Sequence, residues 1–259
     1  MLKETEEKLA QSLTAETTDL IPFLPYLLQD FWELGTNPDT IIKLINKHVS
    51  LSEKSRILDL ACGKGAVSVK LAEKFRIKVK GVDITPEFVE YAAQKAKEYS
   101  VGDLCEFVID DVNEAVKKEK DYDCVVYGAI GDVMGNRAET LKKLKAVVKP
   151  GGYLIFDNYD FAPLNEWKAL FDEAGLVLIE TISDNNRVTV DDSDTFKLVA
   201  DSGLGMAAMT KRANELIEKH PEKKAIFEGY IKSQKEEYNE IDSLSNDQDV
   251  TWILKKVSY

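Results

Sequence analysis

The chain has 259 residues, 44% hydrophobic and 31% charged, with 14 Gly and 7 Pro. That composition excludes collagen-like, low-complexity and wholly disordered readings and leaves a globular protein of one large domain or two small ones. With 34 Lys and Arg against 46 Asp and Glu, the net charge is −12, which repels a phosphate backbone and argues against a nucleic-acid partner.

Residues 1–20 are polar and weakly periodic and read as a loosely attached helix or a frayed tail. The acidic start argues against a signal peptide. Residues 21–32 mix aromatic side chains with Pro22 and Pro25, so short helical pieces are expected, their rings capping the core or a pocket. Asn37-Pro38-Asp39 supplies an N-cap and a proline start for a helix of about 12 residues whose apolar face is Ile41, Ile42, Leu44, Ile45 and Val49.

From residue 56 to 160 apolar runs alternate with helical patterns. Strands are predicted at 56–60, 78–82, 104–109, 123–127 and 153–157, and helices at 66–75, 85–99, 112–118 and 136–148. Thr85 reads as the N-cap of the second of these helices, and Leu141, Leu144 and Val148 as the inner face of the last. The alternation implies a parallel sheet with right-handed crossovers, whose carboxyl edge takes a ligand. A helix at 163–174 stopped by Gly175 and a strand at 176–182 follow. The last strand, 250–257, comes late, and a helical pair at 204–219 and from Pro221 to about Ile241 fills part of the gap as a candidate lid.

Chemistry concentrates at the predicted strand ends. Asp59-Leu60-Ala61-Cys62-Gly63-Lys64-Gly65 joins the first strand to a helix, where glycines let a ligand approach the backbone and helix N–H groups are free. A dinucleotide site would want a third glycine where Ser68 stands, and Asp59 would face a diphosphate badly. Asp83, 20 residues beyond Gly63, has the spacing of a carboxylate that accepts from ribose hydroxyls. Asp110-Asp111 before Val112 ends the third strand, where a carboxylate and an apolar flank suit an adenine. The ligand so described has an amine, a ribose and an adenine but no phosphate. Cys62, Cys105 and Cys124 show no CxxC spacing and read as reduced thiols. Only His48 and His220 offer imidazoles, so no metal centre is expected. No apolar run approaches the roughly 18 residues of a membrane helix, so neither a membrane nor an oxidising compartment is expected, and the location expected is cytoplasmic.

In order, ILDLACGKG, GVDI, FVIDDV, DYDCVVYGAI and LKKLKAVVKPGGYLIF resemble the motifs of class I S-adenosylmethionine-dependent methyltransferases, in particular the small-molecule branch with a helical lid before the last strand. The likeness covers roughly residues 36–182 and the final strand. Ala61 departs from the glycine usual there. The resemblance implies a single α/β domain: a Rossmann-like, doubly wound seven-stranded sheet, mostly parallel with an antiparallel last strand. A cap (1–35), a core (36–182), a lid insertion (183–249) and the closing strand (250–259) would make it up. It implies S-adenosylmethionine as cofactor and S-adenosylhomocysteine as product. Asp59, Ala61, Gly63 and Gly65 would surround the methionyl part, Asp83 the ribose, Ile84, Asp111 and Val112 the adenine, and Tyr127 with Gly128 the sulfonium. Asp111 also reads as a plain N-cap, Tyr127 as core packing, and Cys62 as a small buried residue.

The implied reaction is in-line methyl transfer to an N, O, S or C nucleophile of a small molecule, the enzyme contributing proximity, alignment and water exclusion. Tyr127, Asp132 and Tyr159 are the catalytic candidates, with Asp157 and the histidines as further bases should one be needed. Tyr26, Phe31, Trp32, Asp132, Asn158 and Tyr159 are the acceptor-binding candidates, together with Ile130, Gly131 and Asp157. A monomer or homodimer is expected, with neither nucleic acid nor membrane as partner. Two rivals stand beside this reading: a non-catalytic S-adenosylmethionine-binding or sensing protein, and a nicotinamide-dependent dehydrogenase.

Overall fold

The computed structural model describes residues 3–128, 131–158, 162–183, 202–243 and 250–257. In chain order, the first helices are α1 (Lys3–Ser12), a 3-10 turn (Thr18–Phe23), α2 (Leu24–Leu27) and α3 (Pro38–His48). Strands and helices then alternate: β1 (Arg56–Leu60), α4 (Ala66–Phe75), β2 (Lys78–Asp83), α5 (Pro86–Glu98), β3 (Cys105–Ile109), α6 (Val112–Lys118), β4 (Tyr122–Tyr127), α7 (Arg137–Val147) and β5 (Val148–Asp157). The remainder is α8 (Leu164–Ala174), β6 (Leu176–Ser183), α9 (Ser202–Lys219), a 3-10 turn (Pro221–Lys223), α10 (Lys224–Ser243) and β7 (Val250–Lys256). None of the described helices is long and apolar enough to cross a membrane.

The chain divides into two compact units, Glu33–Val190 with Ser245–Tyr259, and Met1–Trp32 with Asp191–Leu244. The larger unit is built on a seven-stranded sheet in the order β3-β2-β1-β4-β5-β7-β6. β1 through β5 run parallel, while β7 is antiparallel to both β5 and β6. This is the doubly wound, mostly parallel sheet with an antiparallel last strand that the sequence implies. Its central strands are buried on both faces, β1 by Ile57, Leu58 and Leu60 and β4 by Cys124, Val125, Val126 and Tyr127. The order reverses between β1 and β4, and that switch point opens the crevice at the carboxyl ends of the strands.

One local reading is corrected. Val148 is not the last turn of α7 but extended backbone at the start of β5, where it pairs with Tyr122 before a register shift. The inner face of α7 is Thr140, Leu141, Leu144 and Val147, and a capping box between Asn136 and Glu139 starts the helix. Thr85 is the N-cap residue of α5, as read, although its side chain accepts no hydrogen bond there; its own N–H donates to Asp83 Oδ1 at 2.9 Å.

The smaller unit is helical. Leu20, Leu24 and Leu27 are buried at its N-terminal end, and Met209, Ala213, Leu216, Phe227 and Tyr230 along α9 and α10. Phe23 meets Phe227 edge-on at 5.1 Å, and Arg212 of α9 forms a two-pronged pair with Asp30 at 2.6 and 2.9 Å.

Candidate functional site

β1 ends in a turn whose alternate residues lie in the left-handed region: Ala61 at φ 57°, Gly63 at φ 51° and Gly65 at φ 75°. Glycine carries such angles without strain, whereas alanine pays for them with a Cβ held close to the following carbonyl. Gly65 is required for a second reason, because a Cβ there would stand 2.6 Å from Ala92 Cβ on α5. The turn is stitched to β2 by the Cys62 N–H on the Val82 carbonyl, and α4 starts directly at Ala66. Lys64, in the middle of Gly-Lys-Gly, is only 3% exposed and lays its ammonium over the ring of Tyr91 at 4.9 Å.

Asp83 closes the next strand. Its Oδ2 accepts from the Gly63 N–H at 2.8 Å and its Oδ1 from the Thr85 N–H at 2.9 Å. Burial raises its pKa, against the pull of those backbone donors. A carboxylate has about four acceptor positions, so one on each oxygen remains, the number a ribose diol needs. Asp59, 3% exposed, accepts from the buried Ser68 hydroxyl at 2.6 Å. Burial pushes its carboxyl up to about 7 and the Ser68 hydrogen bond holds it down, while the like charge of Asp83 adds a further rise. Ser68, which the glycine pattern marks as a departure, is thus the partner that fixes Asp59.

At the end of β3 the acidic pair divides its work. Asp110 accepts from Lys118 at 2.7 Å, whereas Asp111 caps α6, its Oδ1 taking the Asn113 N–H at 2.8 Å. Among the described residues the other oxygen of Asp111 accepts nothing. The N-cap reading and the adenine reading are therefore compatible, one oxygen each. Ile84 is half-buried beside this edge, and Val112 is buried in the core.

Across the switch point, Tyr127 is fully buried with its ring stacked 6.2 Å from Phe156, and its hydroxyl donates to the Gly131 carbonyl at 3.4 Å. The ring is thus packed in the core, the plainer of the two readings made for it from the sequence. Gly128 follows, buried, at the carboxyl end of β4, and a Cβ on it would stand 2.4 Å from Thr36 Oγ1. Leu34 lies over Gly63 in the same way, its Cδ1 3.5 Å from where a Cβ would be. The segment 33–36 therefore crosses the strand ends from the β1 turn to β4. Sequence reasoning missed both residues, since four residues without periodicity announce no contact. Thr36 also donates to Asp157 Oδ2 at 2.5 Å, and Thr251 to Oδ1 at 2.6 Å.

Asn158 is buried and donates to the Ala162 carbonyl at 2.9 Å, while Asp132 is exposed on the loop after β4. Tyr26, Phe31 and Trp32 belong to the smaller unit, where Phe31 and Trp32 are buried and the Tyr26 hydroxyl donates to Glu215 at 2.5 Å. Tyr159 and Ile130 lie outside the described residues. The structure thus brings Ala61, Gly63, Gly65, Asp83, Ile84, Asp111 and Gly128 to one edge. Unused acceptors at two adjacent strand ends, beside a turn of left-handed backbone, fit a nucleoside with an attached amino acid better than a diphosphate.

A family model described as a methyltransferase domain matches residues 51–242. The chain is 38% identical over 112 residues to "Putative methyltransferase YqeM" of Bacillus subtilis strain 168, which covers 42% of this chain and 44% of that protein. It spans about two-fifths of the length of the curated relatives it matches. In structure it is similar to a SAM-dependent methyltransferase from Geobacter sulfurreducens solved with S-adenosyl-L-homocysteine, with a TM-score of 0.66 and 18% identity over 90% of this chain and 96% of that one. It is also similar to the 4+2 cyclase SpnF, with a TM-score of 0.64 and 13% identity over 95% of this chain and 98% of that one. Likeness at such identity shows the fold, which hosts more than one chemistry. The family rests instead on the domain model spanning most of the chain and on five motifs that follow in order through one sheet: this chain belongs to the class I S-adenosylmethionine-dependent methyltransferase family.

Proposed function

We propose that this protein transfers a methyl group from S-adenosylmethionine to a small-molecule nucleophile at the carboxyl edge of the sheet. The observation that carries the reading is the pair Asp83 and Asp111, at adjacent strand ends, each with acceptor capacity that no described residue uses. Asp83 holds the two ribose hydroxyls, and the remaining oxygen of Asp111 takes the adenine amine between Ile84 and Val112. Ala61, Gly63 and Gly65 admit the methionyl chain against the backbone, and the positive end of the α4 dipole favours its carboxylate. Asp59, fixed by Ser68, lends negative charge to its amino group through water. Gly128, with Leu34 and Thr36 above, borders the reacting sulfur.

When bound, the cofactor supplies a methyl group activated by a sulfonium charge. The residues here align the acceptor and keep water out, and no proton acceptor is required for an amine free base or a thiolate. Asp157, held by two hydroxyls, is a fixed carboxylate at the acceptor side, together with Asp132, Asn158 and Tyr159. The helical unit, with Tyr26, Phe31 and Trp32, contributes acceptor selection and a lid within a single methyltransferase domain. The net charge of −12 supports a neutral or cationic small molecule over nucleic acid, and three free cysteines support a reducing, cytoplasmic setting.

The test is incubation with methyl-tritiated S-adenosylmethionine and a panel of amines, thiols, phenols and carboxylic acids. Label transfer with stoichiometric S-adenosylhomocysteine is expected for one class. A second reading, a cofactor-binding protein that transfers nothing, draws support from the core position of Tyr127 and the exposed position of Asp132. Tight cofactor binding without transfer to any class would favour it.

A further inference from the structure

We infer that Lys143 and Asn113 form a polar clamp that aims the Asp111 carboxylate at the adenine amine and, at the same time, fixes the loop following β4. The inference rests on the adenine role proposed for Asp111. Lys143, half-buried on α7, donates to Asn113 Oδ1 at 3.0 Å and to the Met134 carbonyl at 2.5 Å. An ammonium has donors only, so the Asn113 oxygen faces it and the amide nitrogen is turned the other way. That nitrogen donates to Asp111 Oδ1 at 3.1 Å and to the Val133 carbonyl at 3.2 Å. The Asn113 backbone N–H reaches the same Oδ1 at 2.8 Å. One oxygen of Asp111 is thereby held by two donors, and the direction of the other is set.

The same clamp gathers two consecutive carbonyls of the post-β4 loop, Val133 and Met134. The Tyr127 hydroxyl on the Gly131 carbonyl ties that loop at a third point. Adenine edge and acceptor-side loop thus share one hydrogen-bond network. An apolar side chain at position 143 would leave the Asn113 amide without the contact that sets its orientation and the Met134 carbonyl without its cationic donor. Lys143 is a positioning residue, acting through Asn113 and not by touching the cofactor.

The experiment compares calorimetric binding of S-adenosylhomocysteine and S-inosylhomocysteine, in which a carbonyl oxygen replaces the exocyclic amine, to wild type, Lys143→Met, Asn113→Ala and Lys143→Arg. Wild type is expected to prefer the adenosyl ligand by ~10-fold or more, the worth of one charge-assisted hydrogen bond. Lys143→Met and Asn113→Ala should compress that preference to ~3-fold or less while still binding, and Lys143→Arg, which keeps donors, should restore most of it. A folded Lys143→Met or Asn113→Ala with wild-type preference overturns the clamp and leaves the cofactor reading intact, as does an equal loss of affinity for both ligands. If Lys143→Met does not fold, Asn113→Ala decides. Equal binding of the two ligands by wild type overturns the adenine role of Asp111 and the clamp with it.

Discussion

Asp59 and Asp83 are buried carboxylates within reach of each other's charge, and burial raises the pKa of both while their hydrogen bonds hold it down. Asp83 is approached by two backbone donors, whereas Asp59 has one hydroxyl and a carboxyl pushed up to about 7 from an ordinary 3.8. A folded-state pKa above the unfolded value stabilises the fold fully only below about 4, and the contribution is lost as pH rises through about 7. The ligand-free protein should therefore lose up to about 4 kcal/mol across that window from Asp59. Asp59→Asn should flatten the slope, raising the urea midpoint at pH 8 and leaving it unchanged near pH 4; an unaltered slope would remove Asp59 as its source. Ala61 yields a second prediction. Left-handed alanine costs about 1–2 kcal/mol and glycine's extra unfolded-state freedom about 0.4–1 kcal/mol, so the strain term wins. Ala61→Gly should stabilise by about 0.5–1 kcal/mol in urea denaturation. At this scale Asp83 and Asp111 were legible as strand-end carboxylates, Asp83 from its spacing to Gly63 and Asp111 from its place at the close of the third predicted strand. Ser68, Lys64, Leu34, Thr36 and Lys143 were not, since their roles depend on contacts that no local pattern encodes.

The element that organises the edge is the turn from β1 into α4, and its geometry depends on how closely α4 can approach α5. Gly65 sets that approach, with Ala92 opposite. Gly65→Ala combines a left-handed alanine with a 2.6 Å contact and should destabilise by about 2–4 kcal/mol in thermal or urea unfolding. A loss below about 0.5 kcal/mol would contradict both the left-handed strain and the close approach of α5. Helices and strands were read well from periodicity because each has one apolar face or a doubly buried run. The misreading falls at a joint. Val148 has the right period for α7, but the ladder with Tyr122 draws it into β5, so a tertiary partner outcompetes the local preference.

At the scale of the whole molecule, the sheet order β3-β2-β1-β4-β5-β7-β6 places the first acidic motifs on one side of the switch point and Gly128 and Asp157 on the other. The alternation of elements implied a parallel sheet with its ligand edge, and the motif resemblance implied the antiparallel last strand, although the Asp30–Arg212 pair, joining residues 182 apart, had no sequence signature. The helical unit is proposed to govern turnover by opening and closing. Hydrogen exchange in α9 and α10 should slow when S-adenosylhomocysteine binds, and exchange indifferent to the ligand would retire the lid. The cofactor site itself is tested most directly by calorimetric titration of S-adenosylhomocysteine into wild type and Asp83→Ala. Saturable one-to-one binding by wild type is predicted, weakened by about 2–4 kcal/mol in the variant through loss of the diol hydrogen bonds. Equal affinity of the two proteins, or no saturable binding by wild type, would contradict the assignment.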